Sequence, residues 1–201
     1  MGPMAAMAAQ PATLLVVGDS LSAEYGLATG TGWVALLQGR LDKDKAGFQV
    51  VNASISGETT SGGQTRLPAL LRTHQPRVVV IELGANDALR GLPVASTVNN
   101  LTSMVKASQA AGAMVLLVGM QVPPNYGKRY TTEFAQAFET VSHSTGASLV
   151  PFMLKGVADR PDARDWFQAD GIHPQAKAHP LILEVIWPSL KPLLLGRQTR
   201  P

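Results

Sequence analysis

The stretch LLVVGDSLS, residues 14–22, passes from four consecutive apolar residues to a glycine, an aspartate and a serine. Four apolar residues in succession are typical of a strand that is covered on both faces, as the strands of a parallel sheet are. Gly18 lets the chain turn sharply where this strand ends. The polar residues that follow, Asp19 and Ser20, are either a turn with a helix cap or a nucleophile held at the edge of a sheet.

Further short apolar runs alternate with helical patterns along the chain. Their length and their β-branched residues favour strands over buried helices. Between them apolar residues recur at helical spacing, as Leu67, Leu70 and Leu71 do. This alternation predicts one α/β domain over residues 12–196, with a parallel sheet between two layers of helices. The predicted strands are residues 13–17, 48–52, 77–83, 113–119 and 148–150.

The composition excludes several classes of protein. With 201 residues, of which 45% are apolar and 15% charged, the chain can form one substantial core and does not resemble a disordered segment. A net charge of +3, without a basic run interleaved with aromatic residues, argues against nucleic-acid binding. The absence of cysteine excludes disulfides and thiolate chemistry. No apolar run is as long as a membrane span.

The two ends of the chain differ from the domain between them. Residues 1–11 form a leader in which A-x-A patterns, such as residues 6–8, resemble the small-residue end of a secretory signal peptide. The alternative is a flexible alanine-rich leader, because a charged start and a longer apolar region are both absent. Residues 197–201 form a basic tail that is expected to lie in solvent.

Small and polar residues follow four of the predicted strands. Because the carboxyl ends of parallel strands meet at one edge of the sheet, where ligands bind in folds of this kind, we expect these residues to converge. The segments concerned are residues 18–20, 52–58, 84–87 and 121–127. Their shared position is stronger support for a functional site than any one motif.

A serine becomes a useful nucleophile when a base is within reach and a third group orients that base. His173 has suitable neighbours, because Asp170 lies three residues before it in the segment DGIHP. Gly171 permits a tight turn and Pro174 favours extended backbone at His173, so the carboxylate can meet one ring nitrogen. The alternative is a helix start with Pro174 in its first turn. The other histidines are expected to be surface or capping residues: His74, His143 and His179.

Acyl transfer also needs hydrogen-bond donors for the oxyanion that develops on the substrate. Asn86 offers a side-chain amide at the end of the third strand, and Gly57 offers a backbone N–H without a side chain to obstruct the substrate. The Ser20 N–H is a third donor, which we expect at the start of the following helix, where the helix dipole would strengthen it. Alternatively, the glycine and the asparagine simply favour turns.

Asp19 and Asp87 suggest a competing chemistry, because strand-end aspartates also accept phosphoryl groups or bind magnesium on similar folds. The second aspartate that phosphatases of this kind carry two residues later is replaced here by Leu21. A Mg²⁺-dependent phosphoryl-transfer enzyme is therefore the lesser alternative, beside a non-catalytic acyl-binding protein. The G-x-S-x-G motif of the α/β-hydrolases is absent around Ser20.

Four separated blocks of the sequence resemble those of the GDSL, or SGNH, hydrolases: GDSLS at 18–22, NASISGET at 52–59, LGANDAL at 83–89 and DGIHP at 170–174. Four such blocks in order, over nearly the whole chain, are far more specific than one. The resemblance implies a three-layer α/β/α sandwich of flavodoxin-like type with a central five-stranded parallel sheet. It implies that Ser20 is the nucleophile, His173 the general base and Asp170 its orienting acid. It further implies an oxyanion hole formed by the Ser20 N–H, the Gly57 N–H and Asn86, without metal or cofactor.

The chain is most similar to the bacterial arylesterase, acyl-CoA thioesterase I and lysophospholipase L1 subgroup, on segments 50–63, 84–93 and 122–130. The resemblance implies a periplasmic or secreted enzyme that hydrolyses small or medium acyl esters and thioesters through an acyl-serine, and we expect a monomer. Leu89 and Leu92 lie in a loop that moves on substrate binding in the subgroup, and are expected to contact acyl chains. Tyr126 is expected in the opposite wall. The alternatives are that both leucines pack under the next helix and that Tyr126 belongs to a rigid proline turn.

Overall fold

The apolar run at residues 14–17 lies in the first strand of a five-stranded parallel sheet, in a computed structural model that describes residues 10–196. The strand order is β2-β1-β3-β4-β5, so the predicted sheet is confirmed. Residues 1–9 and 197–201, which hold most of the predicted leader and the whole predicted tail, lie outside the described residues. The location and the monomeric state stay predictions. The strands are β1 Ala12–Gly18, β2 Phe48–Asn52, β3 Val78–Glu82, β4 Met114–Val118 and β5 Ser148–Val150.

Six helices within residues 10–196 cover the sheet on both sides. The first and sixth helices pack together over one face, and the second, fourth and fifth pack over the other, which confirms the three-layer sandwich. None of the described helices has the length and apolar character needed to cross a membrane. The helices are α1 Trp33–Lys43, α2 Thr60–His74, α3 Ala85–Leu89, α4 Val94–Ala110, α5 Lys128–Thr145 and α6 His179–Leu194.

The strand order places β1 between β2 and β3, the two strands that lead to the other candidate site residues. β1 pairs with β2 on one side and with β3 on the other, in a register that sets Val16 beside Asn52 and Gly18 beside Glu82. The chain turns to one face of the sheet after β1, where α1 packs, and to the other face after β2 and β3, where α2 and α4 pack. This divergence opens a crevice at the carboxyl ends of the strands. The loops after β1, β2 and β3 therefore meet at one edge, as the sequence predicts.

The segment after β1 departs from the prediction, because Ser20 does not begin a helix. Residues 20–26 form consecutive turns, and the first helix begins only at Trp33. Glu24 has a φ of 58° and Gly26 a φ of 70°, and such left-handed backbone cannot continue a helix. The Glu24 carboxylate instead accepts hydrogen bonds from the backbone N–H groups of Gly30 and Gly32. No helix dipole therefore acts on the Ser20 N–H.

Candidate active site

The loop that carries His173 is a narrow turn closed by backbone hydrogen bonds. The Gln168 N–H donates to the His173 carbonyl at 2.7 Å, and Phe167 forms an antiparallel bridge with Pro174. Gly171 makes the reversal possible with a φ of 68°. The turn aims the His173 ring at Ser20, directly after the end of β1.

Ser20, His173 and Asp170 lie together in one hydrogen-bonded line. Ser20 Oγ is 2.8 Å from His173 Nε2, and His173 Nδ1 is 2.5 Å from Asp170 Oδ2. Asp170 Oδ1 also accepts hydrogen bonds from the backbone N–H groups of Ile172 at 2.9 Å and His173 at 3.0 Å. The ring hydrogen bond of His173, followed by these two backbone donors, lowers the pKa of Asp170 to about 2. A charged carboxylate therefore faces Nδ1, which carries the ring proton and leaves Nε2 as the acceptor.

Asp19 supports the turn from within the protein. It is buried, its Oδ1 accepts a hydrogen bond from the Leu21 N–H at 2.9 Å, and its Oδ2 accepts one from the Asn86 amide at 3.1 Å. These contacts let Asp19 brace the turn that carries Ser20. Burial raises the pKa of this carboxyl to about 6, although its hydrogen bonds act in the opposite direction.

The three predicted oxyanion donors differ in what they contact. Within residues 10–196 the backbone N–H groups of Ser20 and Gly57 have no protein acceptor, and Gly57 is exposed with a φ of 80°. The Asn86 amide, by contrast, donates to both Asp19 Oδ2 and the Glu58 carbonyl, the latter at 3.0 Å. Asn86 is thus held in one orientation. Because its amide already donates two hydrogen bonds, an oxyanion would have to share one of these hydrogen atoms with Asp19 or Glu58.

Asp87, the other aspartate considered for phosphoryl chemistry, ties two of the site's loops together. It is buried and accepts hydrogen bonds from the Thr60 N–H at 2.9 Å and the Thr60 hydroxyl at 2.5 Å. These bonds join the start of α2 to α3, which carries Asn86. Among the described residues, no three His, Asp or Glu side chains are grouped so that they could hold a metal ion.

The residues predicted to contact the acyl chain lie at the surface. Leu89 is 46% exposed and Leu92 is 36% exposed, so the alternative that both pack under the next helix is wrong. Tyr126 is partly buried in a 3-10 turn, Pro124–Tyr126, and its ring stacks on Tyr130. The Tyr130 hydroxyl donates to the Leu92 carbonyl at 2.9 Å, which links the two predicted walls.

The sequence analysis missed three further apolar side chains, which lie in the segments after β1 and β2 and in the turn that carries His173. Tyr25, Ile55 and Ile172 are each about half exposed. The Tyr25 ring lies on the His173 ring, with 4.4 Å between their centroids. The available signal for each of them was an isolated apolar residue in a polar loop. This signal indicates a binding surface only once the structure shows that the loops meet.

Two polar residues near the site are buried, which the sequence analysis missed. His179, which we expected at the surface or as a cap, is 2% exposed and does cap a helix, because its Nδ1 accepts a hydrogen bond from the Trp33 N–H at the start of α1. Burial lowers the pKa of His179, which keeps the ring neutral. Glu82 is completely buried at the end of β3, and the available signal was a glutamate that closes an apolar run.

The chain matches the family model described as the GDSL-like Lipase/Acylhydrolase family over residues 16–181. It is 54% identical to the esterase TesA of Pseudomonas aeruginosa over 90% of this chain and 89% of that protein. It is 42% identical to the thioesterase 1/protease 1/lysophospholipase L1 of Escherichia coli, over 93% of this chain and 87% of that protein.

A solved esterase structure is also similar to the chain in sequence and fold. The psychrotrophic esterase EstA from Pseudoalteromonas sp., in a crystal structure inhibited by monoethylphosphonate, is 46% identical to the chain and superposes with a TM-score of 0.84. The match covers 91% of this chain and 98% of that one.

Proposed function

The chain belongs to the GDSL-like lipase/acylhydrolase family and is a serine esterase, and on this premise we propose that Ser20 is its nucleophile, His173 its general base and Asp170 the acid that orients the base. The observation that carries the proposal is the unbroken hydrogen-bonded line from Asp170 Oδ2 through both ring nitrogens of His173 to Ser20 Oγ. Such a line is the arrangement that activates a serine hydroxyl.

The reaction follows from the positions of the protons. His173 Nε2 takes the hydroxyl proton as Ser20 Oγ attacks the carbonyl carbon, and the electron pair of the C=O bond moves onto the carbonyl oxygen. When the carbonyl re-forms, the bond to the leaving alcohol or thiol breaks, and His173 returns the proton to it. Water then attacks the acyl-serine with the same base and releases the acid. Asp170 keeps its charge throughout and stabilises the imidazolium that forms twice in each cycle.

The oxyanion would be held by the Ser20 N–H, the Gly57 N–H and Asn86. The two backbone groups have no competing acceptor in the described part of the chain, which supports their assignment. Asn86 is oriented by Asp19 and the Glu58 carbonyl, so the side chain is fixed before the substrate binds. A donor that is already oriented stabilises the transition state without reorganising during the reaction.

Replacing Asn86 with alanine is expected to lower kcat by roughly 10²–10³-fold with a smaller change in KM, because a missing oxyanion donor weakens the transition state more than the ground state. Steady-state kinetics on an aryl ester measures both constants. Gln109→Ala is the matched control, because Gln109 is a partly buried amide that donates to the Thr145 carbonyl, away from the site. Equal kcat values for the two variants would show that Asn86 is not an oxyanion donor.

We propose aryl esters, acyl thioesters and lysophospholipids as the substrate class. The support is the exposure of Leu89 and Leu92, which follow Asn86 in the chain, together with relatives that are named as an esterase and as a thioesterase and lysophospholipase. Leu89, Leu92 and Tyr126 are the proposed acyl contacts. Exposed leucines beside a nucleophile can cover an acyl chain and gain the free energy of burying both apolar surfaces.

A chain-length series tests the acyl contacts. Leu89→Ala and Leu92→Ala are each expected to lower kcat/KM for long-chain esters by about 10-fold, and to leave acetyl esters nearly unchanged, because a short acyl group does not reach these side chains. Leu181→Ala is the control, since Leu181 on α6 is as exposed as Leu92. The same loss at every chain length would show that the leucines act on the loop and not on the substrate.

A further inference from the structure

Glu82 lies directly behind the proposed nucleophile and contacts its turn. The side chain is completely buried, and its Oε2 accepts hydrogen bonds from the Ser22 hydroxyl at 2.7 Å and the Asp19 N–H at 3.4 Å. The Ser22 oxygen in turn accepts a hydrogen bond from Trp33 Nε1 at 3.1 Å. Gly18 leaves the necessary room, because a Cβ at that position would come within 2.9 Å of Glu82 Oε2.

The surroundings of Glu82 do not suit a carboxylate ion. No lysine, arginine or histidine forms an ion pair with it among residues 10–196, and its Oε1 receives no hydrogen bond there. A buried charge without a counter-ion is strongly unfavourable, and the usual outcome is that the group becomes neutral. Burial and the neighbouring Asp19 charge both raise the pKa of Glu82 well above its ordinary range.

The Asp19 N–H donates to Glu82 Oε2, so the two buried carboxyl groups lie side by side. Two buried carboxylates so close together repel each other, which favours a proton on one of the two. Asp19 already receives hydrogen bonds on both oxygens, from the Leu21 N–H and the Asn86 amide, which favours the charged form. Glu82 has an oxygen that receives none, which favours the neutral form.

We propose that Glu82 is a positioning residue for the oxyanion hole: a neutral acid that donates a hydrogen bond to the Asp19 carboxylate and thereby fixes the acceptor that orients Asn86. The inference rests on the proposed role of Asn86. The shared proton leaves the pair with one negative charge instead of two beside the atom on which a further negative charge develops. It thus lowers the electrostatic cost of having carboxyl groups behind an oxyanion hole.

Two substitutions of Glu82 test the proposal. Glu82→Gln keeps a donor for Asp19 and an acceptor for Ser22, and is expected to retain kcat within about 3-fold. Glu82→Leu removes both and is expected to lower kcat by at least about 10-fold with little change in KM, a smaller loss than removal of the oxyanion donor itself. Equal losses in the two variants would overturn the proposal. Ser142→Ala controls for stability alone, because Ser142 is a fully buried hydroxyl that donates to the Ala147 carbonyl, away from the site.

A double-mutant cycle separates positioning from a general effect on the fold. If Glu82 acts through Asn86, Glu82→Leu costs little more kcat in an Asn86→Ala background, because the donor that it orients is already gone. The same fold-loss in both backgrounds would show that Glu82 does not act through Asn86.

Infrared spectroscopy tests the proton directly and without turnover. The wild-type protein is expected to show the C=O stretching band of a neutral carboxylic acid near neutral pH, and Glu82→Gln is expected to lack it. This measurement decides the question if Glu82→Leu does not fold, and absence of the band from the wild type would overturn the proposal. The band does not depend on catalysis, so its presence in an enzyme whose Ser20→Ala variant stays active would leave Glu82 neutral while refuting the proposed function.

Discussion

Replacing Ser20 with alanine is expected to lower kcat by about 10⁶-fold, the scale on which the loss of a serine nucleophile acts in other hydrolases. The variant keeps the buried part of the turn, because Asp19 still accepts from the Leu21 N–H and Ser22 still donates to Glu82. Its thermal stability should therefore remain close to that of the wild type. A residual rate above that of water is expected from the oxyanion donors and from substrate binding.

Covalent labelling tests the assignment of Ser20 as the nucleophile without a substrate. A fluorophosphonate should modify Ser20 in the wild-type protein, and peptide mass spectrometry should place the adduct on Ser20 and not on Ser22, whose side chain is buried. An enzyme that transfers phosphoryl groups with Mg²⁺, or a protein that only binds acyl groups, would not react in this way. Ser96→Ala, on the exposed surface of α4, is the control that should label like the wild type. Full activity in Ser20→Ala would refute the proposed nucleophile.

The sheet could be predicted from the sequence because each strand carries its own signal. The second and fifth predicted strands have the observed bounds, and the others differ from them by only one residue at either end. The meeting of the loops could also be predicted, since it depends only on the strands being parallel. The parallel strands do not account for His173, which lies in a turn well beyond β5 and is brought to within 2.8 Å of Ser20 by the DGIHP segment.

The residues that were missed depend on contacts that a single sequence does not show. Ser22 and Glu82 are 60 residues apart in the chain and meet because the register places Gly18 beside Glu82. Trp33 and His179 are 146 residues apart and meet where α1 and α6 pack together. The prediction of a helix at Ser20 is wrong for a local reason. The backbone of Glu24 is left-handed, and nothing in its residue type indicates this conformation.

Replacing Asp170 with asparagine is expected to lower kcat by about 10⁴-fold although the fold stays intact. The backbone N–H groups of Ile172 and His173 both donate to Asp170 Oδ1, so an asparagine must place its oxygen there to keep these two bonds. Its NH₂ group then faces His173 Nδ1, which must give up its proton in order to accept. The proton moves to Nε2, and the ring can no longer take the proton of Ser20.

Steady-state kinetics between mildly acidic and neutral pH checks this prediction. The wild-type carboxylate stays charged across that range, because its pKa is about 2, so acid inactivation there has to come from a different group. Asp162→Asn is the matched control: Asp162 is another exposed aspartate with a pKa of about 2, and its partners are Arg160 and Trp166 instead of His173. This variant should keep the wild-type kcat. If Asp170→Asn kept it as well, the carboxylate would not be setting the tautomer of the base, and the line from Asp170 to Ser20 would be structural.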